Sequence, residues 1–333
     1  MRGGAVSVRV GLVGCGVWGA NVLRVLADDP RAEVVAVADL AGTRREVARG
    51  IAPRARWVPS LDEALGVGID AVVIATPPES HAELTLRALD AGADVLVEKP
   101  LALAPADAER CAARAAALGR IAMVGHLLRY HPAVTRLLDL CESGDLGEPR
   151  RFSATRRSFR APVGALDPRA TLWALGPHDL AVLGALDPSP LRDIAAHAEA
   201  PPGESIALTA RLESGLRAKL TLCRTSPVKE RWTRVTGTRR VAWFDEVRSP
   251  DRILLATTRG RSLVVDEPLA IEREIRLDPG EPLALEVAHF LRCVEERTPP
   301  RTPLSEGTAV VRALARAEAT LTPHAVCALA SPL

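Results

Sequence analysis

A chain of 333 residues is longer than one hydrophobic core usually covers, so two domains are expected. Apolar residues at 47% and charged residues at 25% are ordinary globular composition and exclude a large disordered fraction. A formal net charge of +2 gives no field that would draw the chain to nucleic acid or to an anionic membrane, and neither is expected as a partner. The six cysteines (Cys15, Cys111, Cys141, Cys223, Cys293, Cys327) are scattered, with no C-x-x-C pair and no histidine at metal-ligand spacing. They predict reduced, mostly buried thiols and no metal site. The N-terminus lacks the apolar run of a signal peptide, and no stretch approaches the roughly 20 apolar residues that span a bilayer, so the cytoplasm is the expected compartment.

From Val8 to about Gly125, short β-branched runs alternate with alanine- and leucine-rich amphipathic stretches, the pattern of a doubly wound parallel sheet. Strands are expected at Val8–Val13, Glu33–Ala38, Arg56–Val58, Ala71–Ala75, Asp94–Val97 and Ile121–Val124, apolar throughout because helices cover both faces. Helices are expected near Trp18–Ala27, Thr43–Arg49, Ser80–Ala91 and Pro105–Leu118. After Pro149 the segments Arg150–Ser158, Ser205–Glu213 and Leu216–Thr225 alternate with period two, which predicts a large, mainly antiparallel open sheet with one wet face. Glu213-Ser214-Gly215 reads as a hairpin turn. Further strands are expected at Trp232–Thr236, Arg240–Phe244, Ile253–Thr257 and Ser262–Val265, and a helix at Leu172–Leu186. Helices Leu283–Glu296 and Ser305–Leu321 should pack back on the first domain. The expected division is a Rossmann domain over residues 1–125 and an α+β domain for substrate and oligomerisation over residues 126–333.

Gly14-Cys15-Gly16-Val17-Trp18-Gly19 follows the first apolar strand directly and opens a helix. In that context the first glycine permits a tight turn, the second lets the backbone approach a pyrophosphate, and the third lets helix pack on strand. The pyrophosphate would lie on the helix N-terminus beside Val17 and Trp18. Asp39 ends the second strand, where an acid accepts hydrogen bonds from the ribose hydroxyls and repels a 2′-phosphate. That favours NAD, while Arg44 and Arg45 just beyond the turn keep NADP possible. The fifth strand ends in Val95-Leu96-Val97-Glu98-Lys99-Pro100, with the charged pair at the carboxyl edge of the sheet, where α/β folds bind ligands.

Through this Glu-Lys-Pro motif and three further marks, the chain resembles the Gfo/Idh/MocA oxidoreductase family over nearly its whole length. The marks are a Rossmann fingerprint, an Ala-Thr-Pro-Pro-type turn with a later histidine (Ala75-Thr76-Pro77-Pro78 and His81), Glu98-Lys99-Pro100, and a histidine in the second domain. The resemblance implies a cofactor site completed by Thr76, Pro77, His81 and Glu98. It implies that Lys99 sits near the nicotinamide ribose and the reacting carbon, its pKa lowered by the positive ring so that it assists proton transfer. The peptide before Pro100 is often cis in such sites. Leu172-Trp173-Ala174-Leu175-Gly176-Pro177-His178-Asp179-Leu180 matches the family's second-domain motif and implies that His178 accepts or returns the alcohol proton, with Trp173 beside the substrate.

One departure bears on substrate and direction. Many members carry an aspartate four residues before this histidine, where this chain has Ala174, and Asp179 cannot replace it because adjacent helical residues point about 100° apart. The segment Val124-Gly125-His126-Leu127-Leu128-Arg129-Tyr130-His131-Pro132-Ala133 resembles the subgroup acting on nucleotide-activated sugars, and it offers Arg129, Tyr130 and His131 as substrate contacts. Arg160, after the first strand of the second sheet, is a further candidate for a substrate phosphate or carboxylate. The expected activity is hydride transfer between a nicotinamide cofactor and a ring hydroxyl or ketone of a sugar, nucleotide sugar or cyclitol. The alternatives are NAD-dependent glycoside hydrolysis by transient oxidation and a non-catalytic dinucleotide-binding regulator. A homodimer or homotetramer built by the open sheet is also expected.

Overall fold

The computed structural model describes residues 7–159, 167–199, 205–258 and 271–321. The chain divides into two units. The first is Met1–Asp139 with Leu180–Ala185 and Leu277–Arg312, and the second is Leu140–Asp179 with Leu186–Arg276 and Ala313–Leu333. The first unit thus runs past residue 125 and takes back a C-terminal stretch.

The first unit is built from β1 (Val8–Val13), α1 (Val17–Asp28), β2 (Ala32–Ala38), α2 (Arg45–Ile51), β3 (Arg56–Val58), α3 (Leu61–Gly66), β4 (Ala71–Ile74), α4 (His81–Asp90), β5 (Asp94–Glu98), α5 (Pro105–Leu118) and β6 (Ala122–Gly125). α6 (Pro132–Glu142) begins in it. The six strands are all parallel, in the order β3-β2-β1-β4-β5-β6, so the reversal of direction falls between β1 and β4. In such sheets the carboxyl ends of the strands at that reversal form the ligand-binding crevice. The strands are apolar without alternation because both faces are covered: Val10, Leu12, Val73 and Met123 are all at most 1% exposed. α3 was not expected from the sequence; it is short and starts at Ser60, whose hydroxyl accepts the Glu63 N–H at 3.3 Å.

The second unit holds β7 (Pro149–Phe159), α7 (Pro168–Leu186, to Asp179), β8 (Leu191–Glu199), β9 (Ser205–Leu212), β10 (Arg217–Cys223), β11 (Thr225–Gly237), β12 (Arg240–Asp245), β13 (Ser249–Thr257) and β14 (Ile271–Arg276). Among the described residues the sheet order is β14-β13-β12-β11-β7-β10-β9-β8, antiparallel except where β10 lies parallel to β7. β9 and β10 form the expected hairpin, with Gly215 at φ +94° in its turn. β8 and β14 escaped the sequence reading, because β8 is short on β-branched residues and β14 is an edge of mostly charged residues. The expected strand Ser262–Val265 lies outside the described residues.

The terminal helices are α8 (Pro282–Glu296) and α9 (Leu304–Glu318). α8 lays Val287, Phe290 and Leu291 into the core of the first unit, all 0% exposed. α9 begins in the same unit, where Gly307 allows close approach: a Cβ there would lie 2.5 Å from Val124 Cγ2.

Candidate functional site

The glycine turn divides its duties among its three glycines. Gly14 has φ +91°, and a Cβ on it would stand 2.6 Å from the carbonyl oxygen of Ala75. A Cβ on Gly19 would overlap the carbonyl of Gly14 itself. Both are therefore demanded by the fold. A Cβ on Gly16 meets nothing within 4 Å, so that glycine keeps open the space before the first turn of α1. No side chain caps that turn, which leaves its first N–H groups without a side-chain acceptor, as an anion site needs. Val17 and Trp18 flank the opening, 74% and 39% exposed. These residues fit a dinucleotide pyrophosphate.

Asp39, just past β2, accepts the Cys15 N–H on Oδ2 and the Ala41 N–H on Oδ1, each at 2.6 Å. The carboxylate is thus fixed beside the glycine turn, and each oxygen keeps a lone pair for a ribose hydroxyl. Thr76 follows β4, its hydroxyl 2.7 Å from that of Ser80, which donates to the Pro77 carbonyl at 2.8 Å. His81 opens α4, 1% exposed, with its ring nitrogens 2.8 Å from the Pro100 carbonyl and 2.9 Å from that of Thr76.

At the end of β5 the carboxylate of Glu98 accepts the Trp18 indole N–H on Oε1 and the Lys99 backbone N–H at 3.2 Å on Oε2. Gly125 on neighbouring β6 makes the room, since a Cβ there would lie 3.1 Å from the Glu98 carboxyl carbon. Burial pushes the Glu98 carboxyl up, opposed by the Trp18 N–H, Lys99 and His81. Burial and then the charge of Glu98 push Glu286, on α8, well above the carboxylate range. Of this pair Glu286 holds the proton, because Glu98 faces two N–H donors while Glu286 Oε1 faces none. Lys99 is half-buried, and the Lys99–Pro100 peptide is cis as expected.

Beyond β6 the chain makes a 3-10 turn, Leu127–Tyr130. His126 is 1% exposed with neither ring nitrogen hydrogen-bonded, and burial, then Arg129 and Lys99, hold its pKa down to about 3. Arg129 lies 8% exposed and donates to Glu306 at 3.0 Å and to the Ala181 carbonyl at 3.4 Å. Tyr130, 3% exposed, pairs its hydroxyl with that of Thr302 at 3.1 Å. Burial drives Glu306 up to about 7 against the pull of Arg129. Of the segment's three expected substrate contacts, Arg129 and Tyr130 are thus tied into the interior, and His131 accepts the Ala133 N–H at 3.1 Å.

In the second unit, α7 runs unbroken through Pro177, with Ala174 one turn before the half-buried His178. Asp179, 0% exposed, receives Arg156 on both oxygens at 2.8 and 3.1 Å, and Arg156 also donates to Thr233 at 2.8 Å. Asp179 is therefore committed to the sheet and does not stand in for the carboxylate that Ala174 replaces. Trp173 donates its indole N–H to Glu318 at 3.0 Å. Arg160 lies outside the described residues.

Sequence reasoning missed Glu286 and Glu306. Glu286 had a signal: it stands three residues after Leu283 and four before Phe290, on the apolar stripe of its own helix. Among the described residues no group of three or more His, Cys, Asp or Glu side chains is placed to hold a metal ion, and no helix is long and apolar enough to cross a membrane.

Residues 8–126 match the model of the oxidoreductase family GFO_IDH_MocA, described as an NAD-binding Rossmann fold. An inositol 2-dehydrogenase from Saccharopolyspora erythraea is 36% identical over 160 residues, 47% of this chain and 48% of the relative. The chain spans about half the length of the curated relatives it matches. A UDP-N-acetylglucosamine 3-dehydrogenase from Acidithiobacillus ferrooxidans superposes with a TM-score of 0.81 at 24% identity, over 95% of this chain and 98% of that one. A protein from Magnetospirillum magnetotacticum MS-1 superposes at 0.82 with 28% identity, over 93% and 99%. At such identities the whole-chain likeness is one of fold, while the glycine turn, Asp39 and the Glu98-Lys99-Pro100 end of β5 all lie inside the matched stretch. Residues 8–126 are thus similar to the NAD-binding Rossmann fold of the Gfo/Idh/MocA oxidoreductase family.

Proposed function

We propose that this protein is an NAD-dependent oxidoreductase that moves hydride between the nicotinamide and a ring carbon of a cyclitol or sugar bearing a hydroxyl or ketone. The observation that carries the reading is that one unit holds both the open pyrophosphate cradle at Gly16 and a half-buried lysine at the carboxyl end of β5. Bound NAD supplies the hydride acceptor, or NADH the donor. Lys99 holds the substrate oxygen and steadies the charge on it, and Glu98 anchors the turn that carries the lysine through Trp18. His178 takes the hydroxyl proton in oxidation and returns it in reduction. Asp39 selects NAD by receiving the ribose hydroxyls. The relatives' inositol and UDP-N-acetylglucosamine substrates make cyclitols and nucleotide sugars the compounds to test.

The reading extends to location and assembly. The described cysteines are all free, in keeping with a cytoplasmic protein. Self-association would use the open sheet of the second unit, one face of which carries a concavity of about 610 Å³ lined by Arg151, Asp193, Ala195, Arg211, Lys219 and Trp232. Light scattering should give a dimer or tetramer at micromolar protein. For the activity, single-turnover nicotinamide absorbance is followed with NAD and a panel of inositols and UDP-sugars. Lys99→Ala and His178→Ala should each slow the chemical step by about 10²–10⁴-fold. Wild-type rates in both variants would refute the assignment.

A further inference from the structure

His81 stands at the start of α4 with its ring buried between two backbone carbonyls. Nδ1 is 2.8 Å from the oxygen of Pro100 and Nε2 is 2.9 Å from that of Thr76. A carbonyl oxygen only accepts, so each contact requires an N–H on the ring. A neutral imidazole has one N–H and one lone pair. It can satisfy one of these carbonyls and must aim its lone pair at the other, an opposition that costs heavily in a site 1% exposed. A ring that carries hydrogen on both nitrogens satisfies both at once.

The two carbonyls belong to the turns that leave the ends of adjacent strands. β4 and β5 pair in register from Ala71 with Asp94 to Ile74 with Val97, and beyond that point the ladder stops. Thr76 and Pro100 lie just past it on either side. The ring spans the gap where the backbone no longer ties the two turns, and the Pro100 carbonyl is one residue from Lys99. On the same side Glu98 accepts the Lys99 backbone N–H, so the turn that His81 reaches also carries this carboxylate.

We propose that His81 is a positioning residue that donates from both ring nitrogens, clamping the Thr76 turn to the Glu98-Lys99-Pro100 turn and so fixing where Lys99 stands. The proposal rests on the reading of Lys99 as the catalytic lysine. It separates His81 from direct cofactor contact, since both ring nitrogens are engaged by the protein.

Two measurements on the full-length protein test it. In the first, histidine is labelled with ¹⁵N and the ring nitrogens are read by long-range ¹H–¹⁵N correlation. His81 is assigned in the wild type from its proximity to Thr76 and Pro100 protons, so no variant need fold. Both nitrogens should bear hydrogen in the folded protein; a ring with one bare nitrogen overturns the clamp. In the second, ¹³C-labelled lysine gives three side-chain signals, for Lys99, Lys219 and Lys229. In His81→Gln the Lys99 signal should shift or broaden while Lys219 and Lys229 stay in place. An unmoved Lys99 overturns the positioning role. Neither readout needs turnover, so wild-type hydride transfer in Lys99→Ala would defeat the proposed function and leave the clamp standing.

Discussion

Replacing His126 by phenylalanine should make the protein more resistant to acid. The imidazole is 1% exposed, neither nitrogen has a partner, and burial with the charges of Arg129 and Lys99 lowers its pKa to about 3. In the unfolded chain it titrates near 6.5. Between those values the unfolded state binds one proton that the folded state refuses, so stability rises with pH there by about 1.4 kcal/mol per unit and is lost as pH falls. Over the fall from about pH 6.5 to about pH 5 this one group costs the wild type about 2 kcal/mol. Phenylalanine fills the same site with a ring of similar footprint and has nothing to titrate. It also removes two buried polar atoms without partners, each worth about 1–3 kcal/mol in desolvation, so the variant should be more stable at neutral pH too. Urea unfolding followed by tryptophan fluorescence at about pH 7.5 and about pH 5 measures both. The other titrating groups are common to the two proteins and cancel in the comparison. An equal stability difference at both pH values would refute the argument that the folded protein holds this ring neutral.

Gly16→Ala should fold with stability within about 0.5 kcal/mol of the wild type yet bind NADH more weakly, since its methyl meets only the space a pyrophosphate needs. Gly14→Ala should destabilise by about 1–3 kcal/mol or fail to fold, from the left-handed backbone alone before the Ala75 contact is added; calorimetry with NADH titration separates the two variants. Asp39→Ala should weaken NADH and shift the NADH to NADPH affinity ratio towards NADPH, because the acceptor and the repelling charge leave together; an unchanged ratio in fluorescence titration defeats that role. Asp179→Ala should cost about 3–5 kcal/mol by stranding the Arg156 guanidinium in the interior, read as a lower urea midpoint.

Much of the first unit was legible in the sequence. Its strands sit between apolar runs and turn residues that act locally, and β1, β3 and α5 fall on the expected residues. The glycine turn was legible for the same reason: Gly14 and Gly19 answer to the Ala75 turn of the adjoining strand and to a carbonyl five residues back, and Gly16 to the open space between them. What lay hidden was short or unpatterned. α3 has too few residues for a period to show, and the charged edge strand β14 has only Ile271 and Ile275, parted by Arg273, to announce a face.

The choice of partners belonged to the tertiary structure. Alternation marks β7, β9 and β10 as strands, yet nothing local says that β7 pairs with β10 in parallel on one side and with β11 on the other. Residue types named the candidates but not their occupations. Asp179 became the partner of Arg156, Arg129 that of Glu306, and His81 the bridge from the nearby Thr76 carbonyl to that of Pro100, and the Arg156, Glu306 and Pro100 contacts each cross a distance in sequence that periodicity cannot span. Local pattern records how a segment meets water and its near neighbours. Which buried polar group finds which partner depends on chain closure over scores of residues, and that is decided only when the whole unit packs.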